Sequence, residues 1–137
     1  MTIEYKVNHP ITAREFIDLL KQTTLGVRRP IENIVAIQAM LDHANLTVTA
    51  WQGDELVGIS RSVTDFYFCC YLSDLAVSEN IQAKGIGKEL IKRTFLQLNS
   101  GCKLNLLAAP QAVDYYPHIG LERHDSAWIL SDLKQLD

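Results

Sequence analysis

YLSDLAVSENIQAKGIGKELIKRTFLQLNSG, residues 71–101, holds in one run an alternating strand ending near Val77, a short polar turn, a glycine pair at Gly85 and Gly87, and a helix closed by Gly101. Within the helical part, Ile86, Leu90, Ile91, Phe95 and Leu98 recur at helical spacing, while Lys84, Lys88, Glu89, Lys92 and Arg93 take the other side. A strand that passes through glycines into a helix N-terminus presents unpaired backbone N–H groups and the positive end of the helix dipole. The expected result is an anion cradle, most naturally for phosphate.

The glycine spacing separates this cradle from two better known phosphate loops. A nucleoside-triphosphate loop requires GxxxxGK followed by Ser or Thr, and Gly85-Ile86-Gly87-Lys88-Glu89 has neither the spacing nor the hydroxyl. A dinucleotide site requires GxGxxG, and Leu90 stands where the third glycine belongs.

Upstream, a short strand is expected over residues 3–7, ended by His9-Pro10. Thr12 and Glu15 form a capping box for a first helix, with Ile11 and Phe16 as its hydrophobic staple. Gly26 breaks that helix, and Pro30 suits the first turn of a second, whose inward face reads Ile34, Ile37, Leu41 and Ala44. Arg28 and Arg29 therefore fall in an interhelical loop, where a guanidinium can meet a substrate carboxylate, a phosphate or a neighbouring acid. Residues 46–51 and 56–63 read as a hairpin around Gly53, and residues 66–77 as the third strand of the meander. Asp65 either caps the turn before that strand or faces a pocket.

Downstream, residues 104–109 read as a strand buried on both faces, ended by Pro110. A short helix over residues 111–118 and a last strand over residues 126–130 complete the order β-α-α-β-β-β-α-β-α-β. Neither an internal repeat nor a linker appears, so one domain over residues 1–137 is expected.

Composition sets the outer limits. Apolar residues make up 47% and charged residues 21% of the chain, an ordinary globular balance, and the net charge of −3 provides no broad basic field for nucleic acid. The sequence has neither a signal-like N-terminus nor a membrane-length apolar run, and Cys69, Cys70 and Cys102 are an odd set of thiols. A soluble cytoplasmic protein with no membrane partner is expected.

Few residues carry recognisable chemistry. His9, His43, His118 and His124 are scattered, without HExxH or GxSxG, so neither a metal site nor a serine triad is expected. Tyr115-Tyr116-Pro117-His118-Ile119-Gly120 sets two phenols on a short helix, where Tyr116 is either a proton donor or an aromatic anchor. Asp74, opposite in face to Ser73 and Leu75, is placed to take a proton directly or through water, or to bind backbone N–H groups.

Gln82-Ala83-Lys84-Gly85-Ile86-Gly87, between Leu75-Ala76-Val77 and an amphipathic helix, with Tyr115-Tyr116-Pro117-His118-Ile119-Gly120-Leu121 following, resembles the GNAT superfamily of acyl-CoA-dependent N-acyltransferases. The resemblance implies an α/β (α+β) fold with a mixed central sheet that splays open beside the fourth strand. It implies acetyl-CoA as acyl donor, with pantetheine along Leu75, Ala76 and Val77 and pyrophosphate on amides from Gln82, Ala83, Lys84, Gly85, Ile86, Gly87 and Lys88. It further implies direct attack by a primary amine of a small molecule, with Tyr116 as general acid and Asp74 or water as base. Arg28, Arg29, Asp65 and Tyr115 are then the candidate acceptor-binding residues, and a homodimer is the family-based expectation. Leu121 replaces the family's usual phenylalanine after the glycine. The combination of Arg28-Arg29-Pro30, Thr64-Asp65 and Tyr115-Tyr116-Pro117 resembles a subgroup of small acetyltransferases, some of whose relatives act on arylalkylamines or polyamines. A non-catalytic acyl-CoA-binding or regulatory domain and a protein lysine acetyltransferase are the alternatives.

Overall fold

The computed structural model describes residues 2–81 and 85–137 and divides the chain into two compact units, Met1–Leu107 and Ala108–Asp137. The first unit is a five-stranded sheet in the order β1-β2-β3-β4-β5. Its strands are β1 (Glu4–Val7), β2 (Leu46–Gln52), β3 (Glu55–Thr64), β4 (Cys69–Val77) and β5 (Lys103–Asn105). The first four run antiparallel and β5 pairs parallel with β4, as a helical crossover requires.

Three helices cover the two faces. On one side α1 (Ala13–Lys21) and α2 (Ile34–His43) lie over a core of Phe16, Ile17, Leu20, Ile37, Trp51, Ile59 and Ala76. The capping box of α1 is present: Glu15 N–H donates to Thr12 Oγ1 at 3.0 Å and Thr12 N–H to Glu15 Oε1 at 2.9 Å. The other side holds α3 (Ile86–Leu96), whose Ile86 and Leu90 pack with Val48, Ala50 and Val57. Gly58 permits that approach, because a Cβ there would lie 3.1 Å from Leu90 Cδ1 and 3.3 Å from Ile86 Cγ2. A buried hydroxyl pair reinforces it: Thr94 donates to the Leu90 carbonyl at 2.8 Å, leaving its Oγ1 to accept from Ser60 at 2.8 Å.

Gly26 has a different duty. It lies in a 3-10 segment, Thr24–Arg28, and its Cβ position falls 2.6 Å from the Leu20 carbonyl oxygen. Only glycine lets this segment fold back against the end of α1, and that return delivers Arg28 and Arg29 toward the sheet.

Several expected boundaries shift. Pro30 does not open the second helix; Asn33 caps it, accepting from Ala36 N–H, and Ile34 is exposed. The meander's third strand starts at Cys69 instead of Phe66, because Asp65 and the left-handed Phe66 hold residues 65–68 in a turn. α3 ends at Leu96 with Gln97 as its C-cap, short of Leu98. β5 is a three-residue edge strand, not a strand buried on both faces through Ala109.

The second unit contains a 3-10 turn at Pro110–Ala112, the one-turn helix α4 (Tyr115–His118) and a 3-10 turn at Leu133–Leu136. The strand expected over residues 126–130 does not form. Strand structure needs a ladder partner, and among the described residues this apolar segment pairs with none; its Trp128 stays exposed.

Candidate active site

β4 changes character along its length. β5 accompanies it only through the pairs Cys69↔Lys103, Cys70↔Leu104 and Tyr71↔Asn105. From Leu72 to Val77 the outer edge of β4 has no strand beside it among the described residues of this unit, while the inner edge stays paired, with Ser60↔Leu75, Ile59↔Ala76 and Gly58↔Val77. An open edge of unpaired peptide groups can receive an extended, amide-bearing ligand as an added strand does.

The strand then enters a turn pinned to α1. Ser78 N–H donates to the Val57 carbonyl at 2.8 Å, and Ser78 Oγ to Gln22 Oε1 at 2.6 Å. Glu79 N–H donates to the Gln22 carbonyl at 3.0 Å. Gln82, Ala83 and Lys84 lie outside the described residues. Beyond them Gly85, at φ 67° and ψ 20°, is the N-cap of α3 and provides no side chain to satisfy the first-turn N–H groups. A Cβ on Gly85 would meet nothing within 4 Å, so it is the left-handed backbone that selects glycine there. Ile86 and Gly87 are buried, and Lys88 is exposed beside the helix start. A helix start whose N-cap residue makes no side-chain cap, with a lysine in its first turn, fits a pyrophosphate.

Within that open stretch the β3–β4 register slips: Arg61 pairs with Asp74 and Ser62 with Leu72, leaving Ser73 as the extra residue of a bulge. Two arginines clamp it. Arg29 Nε–H donates to Asp74 Oδ1 at 2.5 Å and its Nη2 to the Ser73 carbonyl at 2.8 Å. Arg61 Nε–H donates to Asp74 Oδ2 at 2.5 Å, Nη2 to Ser73 Oγ at 3.1 Å and Nη1 to the Met40 carbonyl at 3.0 Å. Asp74 is fully buried, Arg61 nearly so, and the Arg29 side chain 21% exposed. Both carboxylate oxygens of Asp74 are thus occupied by permanent cations, the arrangement of a structural anchor. Arg28 and Arg29, alike in sequence, part company here. Arg29 completes the clamp, and its Nη1 donates to the Arg28 carbonyl at 2.9 Å. Arg28 is exposed, and among the described residues no carboxylate forms an ion pair with it.

Asp65 sits at the opposite end of β4. Its Oδ1 accepts from the N–H groups of Tyr67, Phe68 and Cys69 at 3.0, 2.8 and 3.1 Å, which holds its carboxyl below the usual range. That is the turn-capping use of an aspartate. The negative charge of Asp65 in turn pushes the Cys69 thiol up, away from nucleophilic chemistry.

In the second unit, the rings of Tyr115 and Tyr116 meet edge to face, with centroids 5.3 Å apart. Leu121 N–H returns to the Tyr116 carbonyl at 2.9 Å, and Gly120, at φ 109°, makes that reversal. Burial pushes both phenols up, with the neighbouring Tyr115 adding to the rise at Tyr116. Each is thereby kept in the protonated, hydrogen-donating form.

Sequence reasoning missed Arg61, Ser73 and Gln22. Arg61 left a partial signal, being the lone charge within the strand segment LVGISRSV; counting back through the meander puts it opposite Ser73, and only the bulge brings it to Asp74. Gln22 left none, since its partners lie more than fifty residues away.

Comparison with known proteins accounts for this arrangement. Residues 21–129 match the model of the acetyltransferase (GNAT) domain. The chain is 30% identical over 97 residues to the N-acetyltransferase ycf52 of Gracilaria tenuistipitata var. liui, covering 69% of this chain and 53% of that protein; it spans about half the length, or less, of the curated relatives it matches. A GNAT-family acetyltransferase of Streptococcus pneumoniae TIGR4 superposes with a TM-score of 0.74 at 24% identity, over 96% of this chain and 100% of that one. The aminoglycoside N-acetyltransferase AAC(6')-Iy, solved in complex with CoA, superposes with a TM-score of 0.71 at 16% identity, over 96% and 95%. The splayed mixed sheet, its flanking helices and the family-model match identify the chain as a member of the GNAT acetyltransferase superfamily.

Proposed function

We propose that the protein transfers an acetyl group from acetyl-CoA to the primary amine of a small molecule, the two units acting as one acyltransferase domain over residues 1–137. The observation that carries this reading is the continuity of β4: an edge with no neighbouring strand from Leu72 to Val77 among the described residues leads, eight residues on, to a helix N-terminus at Gly85, an N-cap residue with no side chain to cap it. The span suits a donor with an extended amide-bearing arm and a pyrophosphate. Acetyl-CoA supplies an activated thioester carbon to the attacking amine. In this reading Leu75, Ala76 and Val77 offer backbone groups to the arm, and Gly85, Ile86, Gly87 and Lys88, continuing from Gln82, Ala83 and Lys84, receive the pyrophosphate.

Tyr116 is the proposed general acid, a role that rests on its motif and on a phenol kept protonated by burial. For the base, the clamp on Asp74 favours water. Each carboxylate oxygen of Asp74 accepts from an arginine Nε–H inside the protein, so in this reading Asp74 holds Arg29 and the bulge in place. Asp65, committed to three backbone N–H groups, is likewise a turn anchor in this reading; Arg28 and Tyr115 remain the acceptor-side candidates. No helix among the described residues is long and apolar enough to cross a membrane.

Thiol release from acetyl-CoA across a panel of amino acids, polyamines, arylalkylamines and aminoglycosides tests the reading, with calorimetric binding of acetyl-CoA alongside. Acetyl-CoA binding and amine-dependent thiol release are expected. Binding without turnover on any amine or peptide would favour a non-catalytic acyl-CoA-binding domain, and absence of binding would end the proposal.

A further inference from the structure

Two guanidiniums meet one carboxylate at the β4 bulge, so the Arg29–Asp74–Arg61 cluster carries a surplus positive charge. The surplus sits on a fully buried Asp74, where charge is screened less than in water. Arg29 is the member that reaches the surface, and three of its five N–H groups are committed, to Asp74, Ser73 and the Arg28 carbonyl. Among the described residues, one N–H on each terminal nitrogen has no such partner. The backbone carbonyl in that last contact belongs to the adjacent Arg28, whose side chain is exposed and without an ion pair among the described residues. Ser73 precedes Leu75 by two residues, about 7 Å along a strand, so the surplus lies within reach of a small molecule reacting beside Leu75.

Building on the transferase reading, we infer that the acceptor is an amine bearing an anionic oxygen group, a carboxylate or phosphonate, received by Arg28 and the outward edge of Arg29. A guanidinium fork suits such groups through paired, charge-assisted hydrogen bonds. The same surplus opposes polycationic acceptors by like-charge repulsion. Arg28 sets specificity in this scheme, and Arg29 is locked in place by Asp74 so that its remaining donors point to a fixed place.

The experiment compares acceptors that differ only in the anionic group: β-alanine, 2-aminoethylphosphonate, β-alaninamide and propylamine, with spermidine as the polycation. kcat/KM is read from thiol release, and binding of each amine to the CoA-saturated protein is read by calorimetry. An anionic member is expected to lead the neutral ones by roughly 10- to 100-fold, and the better of the two identifies the group. Arg28→Ala should bring that ratio close to one, Arg28→Lys should restore part of it, and Arg14→Ala, an exposed charge on α1, should leave it as in the wild type. Neutral amines or spermidine accepted as well as the anionic ones, or a ratio indifferent to Arg28, would overturn the inference while leaving the transferase reading intact. Arg28-dependent binding of an anionic amine without any acetylation would do the reverse. No preference for an anionic member in either readout overturns the inference outright.

Discussion

Arg61 and Asp74 face each other across the β3–β4 ladder, joined by a 2.5 Å ion pair at the step where the register slips around Ser73. The bulge leaves a peptide out of the ladder, and the arginines recover what is lost: Ser73 gives its carbonyl to Arg29 and its hydroxyl to Arg61. Through the Met40 carbonyl, Arg61 also ties α2 to the sheet. The irregularity in β4 is thus held from three elements, and the residues that follow it, Leu75 to Val77, leave the clamp in a fixed direction.

Removing Asp74 should therefore act first on stability. Asp74→Ala leaves two guanidiniums without their carboxylate, and breaking such a buried pair costs about 3–5 kcal/mol. Arg61→Met should cost less, because Arg29 still neutralises Asp74. Urea denaturation monitored by tryptophan fluorescence compares the two variants. An Asp74→Ala protein as stable as the wild type, yet inactive, would return Asp74 to the role of base.

Gly26→Ala tests the approach that brings the arginines in. The added methyl would lie 2.6 Å from the Leu20 carbonyl oxygen, a backbone atom that cannot turn aside as a side chain can. The 3-10 segment must move, at a cost of roughly 1–3 kcal/mol. The same displacement should carry Arg29 away from Asp74, so acetyl transfer falls together with the melting temperature. Wild-type stability in Gly26→Ala would contradict the packing described here.

How far the sequence discloses these features depends on the range of the interactions behind them. Thr12 and Glu15 are three residues apart and their capping box is legible at once, as is the glycine pair that opens α3. The meander and the crossover to β5 follow from alternation and spacing. Arg28 and Arg29 show the limit. The residues are identical and adjacent, and what separates structural from free is Asp74, 45 residues away from Arg29, at a bulge that simple alternation does not predict. Asp65 left two readings open for a related reason, since an acid before a turn looks the same whether it binds its own backbone or a ligand. Residues 126–130 mislead in the opposite sense, because apolar composition shows a capacity for strand and pairing decides whether one forms.

The cradle assignment makes a prediction that separates backbone from bulk. Gly85 has φ 67°, so Gly85→Val forces a β-branched residue into a left-handed conformation and places a side chain beside the first-turn N–H groups of α3. Acetyl-CoA affinity should fall at least tenfold by calorimetry. Gly85→Asn, a residue that enters the left-handed region more readily, should retain more affinity than Gly85→Val. Equal affinity in all three proteins would detach the pyrophosphate from this helix start.

Tyr116→Phe addresses the chemical step. Loss of a general acid should lower kcat by about 10²- to 10⁴-fold and leave acetyl-CoA affinity nearly unchanged, since the aromatic body remains. The pH profile supplies the second readout. The competent form is the protonated phenol, and burial, aided by Tyr115, raises its pKa above the ordinary value of about 10. Activity that depends on this proton should decline, as the phenol ionises, at a higher pH than an ordinary phenol would give. Tyr115→Phe removes one of the two influences that raise Tyr116, so it should move that decline toward lower pH without abolishing turnover. The Tyr116→Phe enzyme, lacking the ionising group, should show no such alkaline decline in whatever rate survives. An unaltered kcat in Tyr116→Phe would reduce the pair to an aromatic anchor and assign the leaving thiolate's proton to water.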